Sequence, residues 1–337
     1  MVRNQHSSTT LQRGDGSCAR VPEVNRRSLF SGAAGCVLAG SMLQLGGRPV
    51  QAQAGATAIA VEPIGENAAV ISGAGCNVLV HRTPEGLVQV DSGAMQSVAE
   101  VTGLIGELGE GAAVELLFNT HWHVEHTGGN DPLGRAGTRI IAHENTRLWM
   151  STEYYVDWQD VTYPPRAVDA LPNDTFYSHE AQPKSVTLGG ETIEYGHLRE
   201  AHTDGDIYVY LRDQNILAAG GVVASGEYPV LDFATGGWIG GLIDATTQLI
   251  EMTDDETVVV PGRGPLRRRS DLNAQLTMLT AVRGPIEDMM RAGKSADEMI
   301  QSGVTAAFDA DWGENSDRFV RNIYGGLWWQ GRLQNSL

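Results

Sequence analysis

Between Thr57 and Asp91 the chain alternates short apolar runs with turn residues, the pattern of strands with one face packed. Residues 68–71, 76–80 and 87–90 read as strands, and Thr83-Pro84-Glu85-Gly86 as the turn that makes the last two a hairpin. Val98, Val101, Leu104, Ile105 and Leu108 recur at helical spacing, predicting a helix over 94–108. Residues 113–118 form an apolar run that predicts a buried strand, ending at Asn119-Thr120-His121. A strand is expected at 139–142 and a short helix at 143–150. Further strands fall near 185–188, 192–198, 207–212, 215–219 and 257–260, with helices near 237–252, 269–292 and 317–330. No repeat with a period of 20 to 50 residues interrupts this order. Strands followed by helices, twice over, predict an α/β fold with two sheets between outer helices.

Residues 151–182 lack periodicity but carry Tyr154, Tyr155, Trp158, Tyr163, Phe176 and Tyr177. Two readings stay open for this aromatic segment: a lid over an apolar substrate, or packing beneath a long loop.

The N-terminus changes the picture. Arg26 and Arg27 precede Ser28-Leu29-Phe30, a weakly apolar run follows to about Leu45, and Ala52-Gln53-Ala54 offers a small-residue cleavage site. These features predict a twin-arginine signal peptide over 1–54, with a single domain over 55–337. The run is too short and too rich in Gly and Ser for a membrane anchor, so a periplasmic or secreted protein without an anchor after cleavage is expected. Twin-arginine export carries folded proteins, so a metal can enter before export. Cleavage would remove Cys18 and Cys36 and leave Cys76, with no intramolecular disulfide.

The 337 residues carry a formal charge of −17, and loss of the leader's six Arg, Asp15 and Glu23 would take it to −21. So acidic a chain argues against nucleic acid and anionic membrane as partners and leaves a small-molecule substrate.

The chemistry concentrates in His121-Trp122-His123-Val124-Glu125-His126-Thr127-Gly128-Gly129-Asn130. It begins where an apolar strand runs out. In an extended segment residues i and i+2 share a side, so His121 and His123 can hold one ion and Glu125 would face it too. Trp122 points the other way, into the core. A third imidazole is expected from His202, in Ala201-His202-Thr203-Asp204-Gly205-Asp206. Three histidines with one coordination position left open form a hydrolytic zinc arrangement.

These motifs resemble those of the metallo-β-lactamase superfamily. HxHxEH followed by Gly-Gly-Asn is similar to its central signature, and Val90-Asp91-Ser92-Gly93 to its first motif. His202-Thr203-Asp204-Gly205-Asp206 resembles the third, 216–221 the fourth and 260–265 the fifth. The resemblance implies a four-layer αββα sandwich, Asp91 bracing the metal loop, and hydrolysis of an ester, lactone, thioester or amide-type bond, β-lactams included.

The departures shape the expectation as much as the matches. Glu125 stands where the family places Asp, Gly221 where it places a bridging Asp, and Arg263 where it places His; of the second metal's ligands His126 alone is unchanged. One zinc per chain is therefore expected, on His121, His123 and His202. Glu125 is expected to orient and deprotonate the attacking water, and Arg263 to bind a substrate carboxylate or oxyanion or to pair with Glu125. Two alternatives remain: a non-catalytic metal- or ligand-binding protein on a degenerate scaffold, and an iron-dependent oxygenase. Gly221 lacks the carboxylate that the oxygenase would need. His81, His143, His179 and His197 carry no ligand-like partner in sequence.

Overall fold

The computed structural model describes residues 58–156, 160–177, 183–313 and 315–334. The proposed leader over 1–54, Trp158 and His179 lie outside them. In chain order the first strands are β1 (Ala60–Pro63), β2 (Ala68–Ser72), β3 (Val78–Thr83), β4 (Gly86–Val90), β5 (Val114–Phe118), β6 (Arg139–His143), β7 (Tyr154–Val156), β8 (Val161–Tyr163) and β9 (Asp174–Phe176). The rest are β10 (Lys184–Leu188), β11 (Glu191–His197), β12 (Ile207–Leu211), β13 (Ile216–Ala218) and β14 (Val258–Val260). The helices are α1 (Val98–Leu108), α2 (Val124–Thr127), α3 (Asn130–Arg135), α4 (Glu144–Met150), α5 (Ile239–Met252), α6 (Arg269–Arg291), α7 (Ala296–Gln301), α8 (Asp309–Trp312) and α9 (Ser316–Gln334).

The strands build two main sheets. One runs β1-β2-β3-β4-β5-β6-β9, antiparallel up to β4 and parallel from β4 to β9. The other runs β10-β11-β12-β13-β14, its last pair parallel. Alternation along β3 shows why they stack. Leu79 packs in the core between the sheets, with Val90, Phe118, Ile207, Val209 and Ile216. Its neighbours Val78 and Val80 turn outward onto Val101 and Ile105 of α1, as the two-residue period of a strand requires. On the other side Tyr208, Tyr210 and Leu217 pack against Leu242, Leu249, Leu272, Leu279 and Phe319 of α5, α6 and α9. The order is helix, sheet, sheet, helix, the four-layer αββα sandwich that the sequence predicted.

The hairpin at 83–86 is present, with Thr83 paired to Gly86 across Pro84-Glu85. The helix expected from 94 begins with a 3-10 turn, Met95–Ser97, before α1. Strand β1 was not foreseen, because Ala60-Val61-Glu62-Pro63 is a largely exposed edge without apolar alternation. Helix α3 contains Pro132 and Gly134, poor helix formers. Contact decides it: a Cβ on Gly134 would overlap the Asp169 carbonyl. Among the described residues no helix is long and apolar enough to cross a membrane.

The connections that leave β4, β5, β11, β13 and β14 meet at one end of the sandwich. Backbone bonds lock them across the sheets, from Ile207 N–H to the Thr120 carbonyl (2.8 Å) and from Asn77 N–H to the Gly262 carbonyl (2.8 Å). The Asn77 amide also donates to the Pro261 and Gly264 carbonyls.

Candidate metal centre

Asp91 ends β4 with φ 59°, a left-handed conformation uncommon for a residue other than glycine. The strain is balanced by the bonds this carboxylate collects. Its Oδ1 accepts from Thr120 N–H (2.8 Å), and its Oδ2 from the Thr120 hydroxyl (2.8 Å). Thr120 has one hydroxyl proton, which goes to Asp91, so its oxygen can only accept from His121 Nδ1 (2.9 Å). The His121 ring is thereby fixed with its proton on Nδ1 and a lone pair on Nε2. That Nε2 is buried and has no hydrogen-bond partner among the described residues.

The other two rings are set by the same kind of argument. His123, the residue preceding α2, donates from Nε2 to Asp232 Oδ2 (3.0 Å), which leaves Nδ1 as its acceptor. His202 donates from Nδ1 to the Val230 carbonyl (2.6 Å), which leaves Nε2. Its loop is pinned by Asp206, whose carboxylate accepts from the backbone N–H of His202 (2.6 Å) and Thr203 (2.7 Å) and from the Thr203 hydroxyl (2.9 Å).

Three lone pairs therefore converge. His123 Nδ1 and His202 Nε2 stand 3.2 Å apart, and donor atoms of all three rings lie within 4.8 Å of one another. Two acceptors at that separation repel unless a cation lies between them. A proton would serve two nitrogens, but His121 Nε2 makes a third. The donor set thus fits a metal ion. Two zinc–imidazole bonds of about 2.0–2.1 Å at a tetrahedral angle span about 3.3 Å, close to the separation seen.

The electrostatics of the rings agree. Burial and the neighbouring His126 hold His121 well below the usual histidine pKa, and burial with His123 pushes His202 down to about 3. Both are neutral ligands at pH 7. Burial alone would lower His123 as well, but the Asp232 bond and the Glu125 charge outweigh it and raise its pKa. Burial likewise opposes ionisation of Asp232, and the His123 hydrogen bond outweighs it, so Asp232 stays a carboxylate. Asp232 Oδ1 also accepts from the Tyr154 hydroxyl (3.4 Å).

The extended parity that placed Glu125 beside the histidines ends at His123, because α2 begins at Val124. Glu125 still lines the cavity that holds His121, His123, His202 and Arg263, from a helical turn rather than a strand. Its Oε1 accepts from Arg263 Nη2. Burial pulls the Glu125 carboxyl up, but His123, Arg263 and His126 together hold it below the usual range. His126 Nδ1 donates to Asp91 Oδ2 (2.7 Å), making Asp91 a clamp between the Thr120 and His126 turns.

Cys76, Asp91 and His126 also bring donor atoms within 4.8 Å of one another, all buried. Both Asp91 oxygens are already engaged there. Gly221 lies against His202: a Cβ at 221 would stand 2.6 Å from its Nε2 and 2.7 Å from its Cγ.

Residues 72–285 match the family model described as the metallo-beta-lactamase superfamily. The chain belongs to this superfamily. Solved metallo-beta-lactamases share its fold. The enzyme from Pontibacter korlensis is 22% identical with a TM-score of 0.52, over 66% of this chain and 99% of that one. DIM-1 is 18% identical with a TM-score of 0.51, over 66% and 97%. VMB-1 is 17% identical with a TM-score of 0.51, over 66% and 96%. A comparison with curated proteins gives no match.

Superfamily members are typically metal-dependent hydrolases, and the three-histidine cluster here is a place for a metal. Sequence reasoning singled out the histidines, Glu125, Arg263, His126 and Asp91, and the structure brings all seven to one end of the sandwich. It missed the groups that set the tautomers: Thr120, Asp232 and the Val230 carbonyl. Thr120 adjoins a histidine and had a signal. Asp232 lies 109 positions from His123 in a stretch without periodicity, and had none. Trp122 is buried as expected, edge-on to Tyr154 with ring centroids 4.8 Å apart.

Proposed function

We propose that this protein is an exported, zinc-dependent hydrolase that cleaves an ester, lactone, thioester or amide-type bond, working with one metal ion. The observation that carries the reading is the convergence of His121 Nε2, His123 Nδ1 and His202 Nε2, each left as an acceptor by a partner on the opposite ring nitrogen. An all-imidazole set suits zinc. Held there, the ion would supply Lewis acidity toward a carbonyl and toward water.

The remaining chemistry falls to Glu125 and Arg263. Glu125 Oε accepts the proton of the attacking water and returns it to the leaving group as the carbonyl carbon's bond to oxygen, sulfur or nitrogen breaks. Its low pKa, set by His123, Arg263 and His126 together, makes it a weak base. A substrate oxygen that draws the guanidinium away would remove one of these charges, raise the basicity of Glu125 and bring the guanidinium to the developing negative charge in one movement. The leader over 1–54 would place this reaction in the periplasm or outside the cell.

A second reading, a metal-binding protein without turnover, has the Glu125–Arg263 pair in its favour, since each of these residues is engaged by the other. Metal analysis of the purified protein, run beside chromogenic ester, lactone, thioester and β-lactam substrates, separates the readings. About one zinc with hydrolysis is expected. Zinc without turnover on any substrate supports the second reading, and bound iron would point to an oxygenase.

A further inference from the structure

Next to the histidine cavity, and sharing Glu125 with it, lies a groove of about 930 Å³. That falls within the roughly 300–1,000 Å³ of small-molecule sites. Its walls are the turn after β4 and the segment after β8, with Met95, Val98, Val124, Tyr163, Pro164 and Pro165 presenting apolar surface. Met95 is 68% exposed, which leaves its apolar side chain open to a ligand in the groove. The floor is firm, because a Cβ on Gly128 would stand 2.6 Å from the Gly93 carbonyl oxygen.

Four charged residues line this groove, and three are neutralised. Glu125 pairs with Arg263, and Asp131 with Arg135 (3.1 Å), which also reaches Asp169 (3.7 Å). Arg166 is the exception. It is half-buried, and Nη1 donates to the Thr127 hydroxyl (3.3 Å) and Nη2 to the Thr127 carbonyl (3.0 Å). Among the described residues it has no carboxylate partner. Five N–H groups make up a guanidinium, so three remain without a protein acceptor there. Burial pushes its pKa down, and the nearby Asp131 charge, itself paired with Arg135, offsets that only in part, so the guanidinium is partly dehydrated and incompletely compensated. Thr127 ends the helical turn that carries Glu125 and His126, so the guanidinium is tied to the turn that lines both cavities.

The geometry points to this groove as the subsite for an amphipathic monoanion, its apolar body between Met95 and Pro164 and its carboxylate on Arg166. Resting on the hydrolase reading, the same placement delivers the scissile bond past Glu125 to the histidines, so the substrate class is an acyl compound with an apolar body and one free carboxylate. A guanidinium held from behind by Thr127 presents its remaining N–H groups as a fork, which matches a carboxylate. The chain's overall −17 charge works against anions at long range, but that field is screened beyond about 8 Å at physiological salt.

The test is isothermal titration of the metal-loaded protein with octanoate and octanol, followed by the same titrations on Arg166→Gln, Arg166→Lys and the surface control Arg139→Gln. Wild type and the control should prefer octanoate. R166Q should lower that preference about tenfold or more, and R166K, which keeps the charge but not the fork, should lose part of it and less than R166Q. Absence of octanoate binding to wild type, an unaltered preference in R166Q, or equal losses in both variants would overturn the assignment. The second of these results is also what octanoate on the metal itself would give. A parallel assay compares the 4-nitrophenyl hemiester of a medium-chain dicarboxylic acid with an uncharged ester of equal length. Octanoate binding as described with no hydrolysis of either ester, nor of the lactone, thioester and β-lactam substrates above, leaves the groove standing and defeats the hydrolase reading. Hydrolysis with the hemiester preference unmoved in R166Q defeats the groove alone.

Discussion

Placing a carboxylate at position 221, where the superfamily resemblance expects a bridging Asp, should destroy the candidate metal site rather than complete a second one. In the structure a Cβ at this position stands 2.6 Å from His202 Nε2, whereas ordinary contact begins near 3.4 Å. The overlap with His202 Cδ2 is closer still, so the imidazole would have to retreat by more than about 0.8 Å, beyond the roughly 0.5 Å tolerance of a preorganised site. It cannot pivot freely, because Nδ1 is bonded to the Val230 carbonyl at 2.6 Å and the backbone N–H to Asp206. Gly221→Ala isolates this steric effect, and Gly221→Asp adds the charge. Both variants should lose at least about 100-fold in zinc affinity, more than is usual for loss of an outer hydrogen bond. Competition against a chromogenic chelator reads the affinity, and elemental analysis the stoichiometry. A G221D protein that binds two ions, or one ion with wild-type affinity, would refute the reasoning.

Three further outcomes follow from the same contacts. Glu125→Gln should abolish turnover while zinc content stays the same, and undiminished rates would remove Glu125 as the base. Asp232→Asn weakens the acceptor that orients His123, so zinc affinity should fall about 10- to 100-fold, read by the same chelator; no change would make Asp232 a bystander. The third concerns acid stability. His143 and His197 stack at 3.9 Å, and burial with the His197 charge pushes His143 down to about 3, while burial lowers His197 too. The unfolded chain thus binds protons that the fold does not. The His143 contribution is present above about pH 6.5 and is lost as pH falls toward 3, at up to about 1.4 kcal/mol per unit, and His197 slopes the same way. Asp204 and Asp206, raised by burial to about 6 and about 7, slope the opposite way across this range. The diagnostic is therefore a difference: between pH 6.5 and 5, urea unfolding of His143→Gln should lose about 2 kcal/mol less than wild type. Parallel losses would contradict the buried neutral pair.

The aromatic segment shows how two open readings divide once packing is known. Tyr154 and Tyr163 pack with Trp122, Trp149 and Met150 beneath the loop. Tyr163 also joins Pro164, Pro165 and Arg166 in the groove wall. Residues 151–182 carry no period because their short strands β7, β8 and β9 answer to two different surfaces, and no local pattern encodes that.

Periodicity alone determined the layers. Strands such as β3 and β12 and helices such as α1 and α5 bury residues at fixed intervals, and that spacing survives any tertiary arrangement. The bunching of His121, His123 and Glu125 after an apolar strand likewise marked a candidate metal loop without coordinates. Tertiary structure decided what those residues do. Which nitrogen of each ring keeps its lone pair depends on Thr120, Asp232 and Val230, and two of these come from distant chain. Whether a side chain fits at 221 depends on where His202 swings. Arg166 gains meaning because Asp131 and Glu125 are already paired with other arginines. Tautomers, free volume and charge balance are properties of neighbours in space, and sequence order does not carry them.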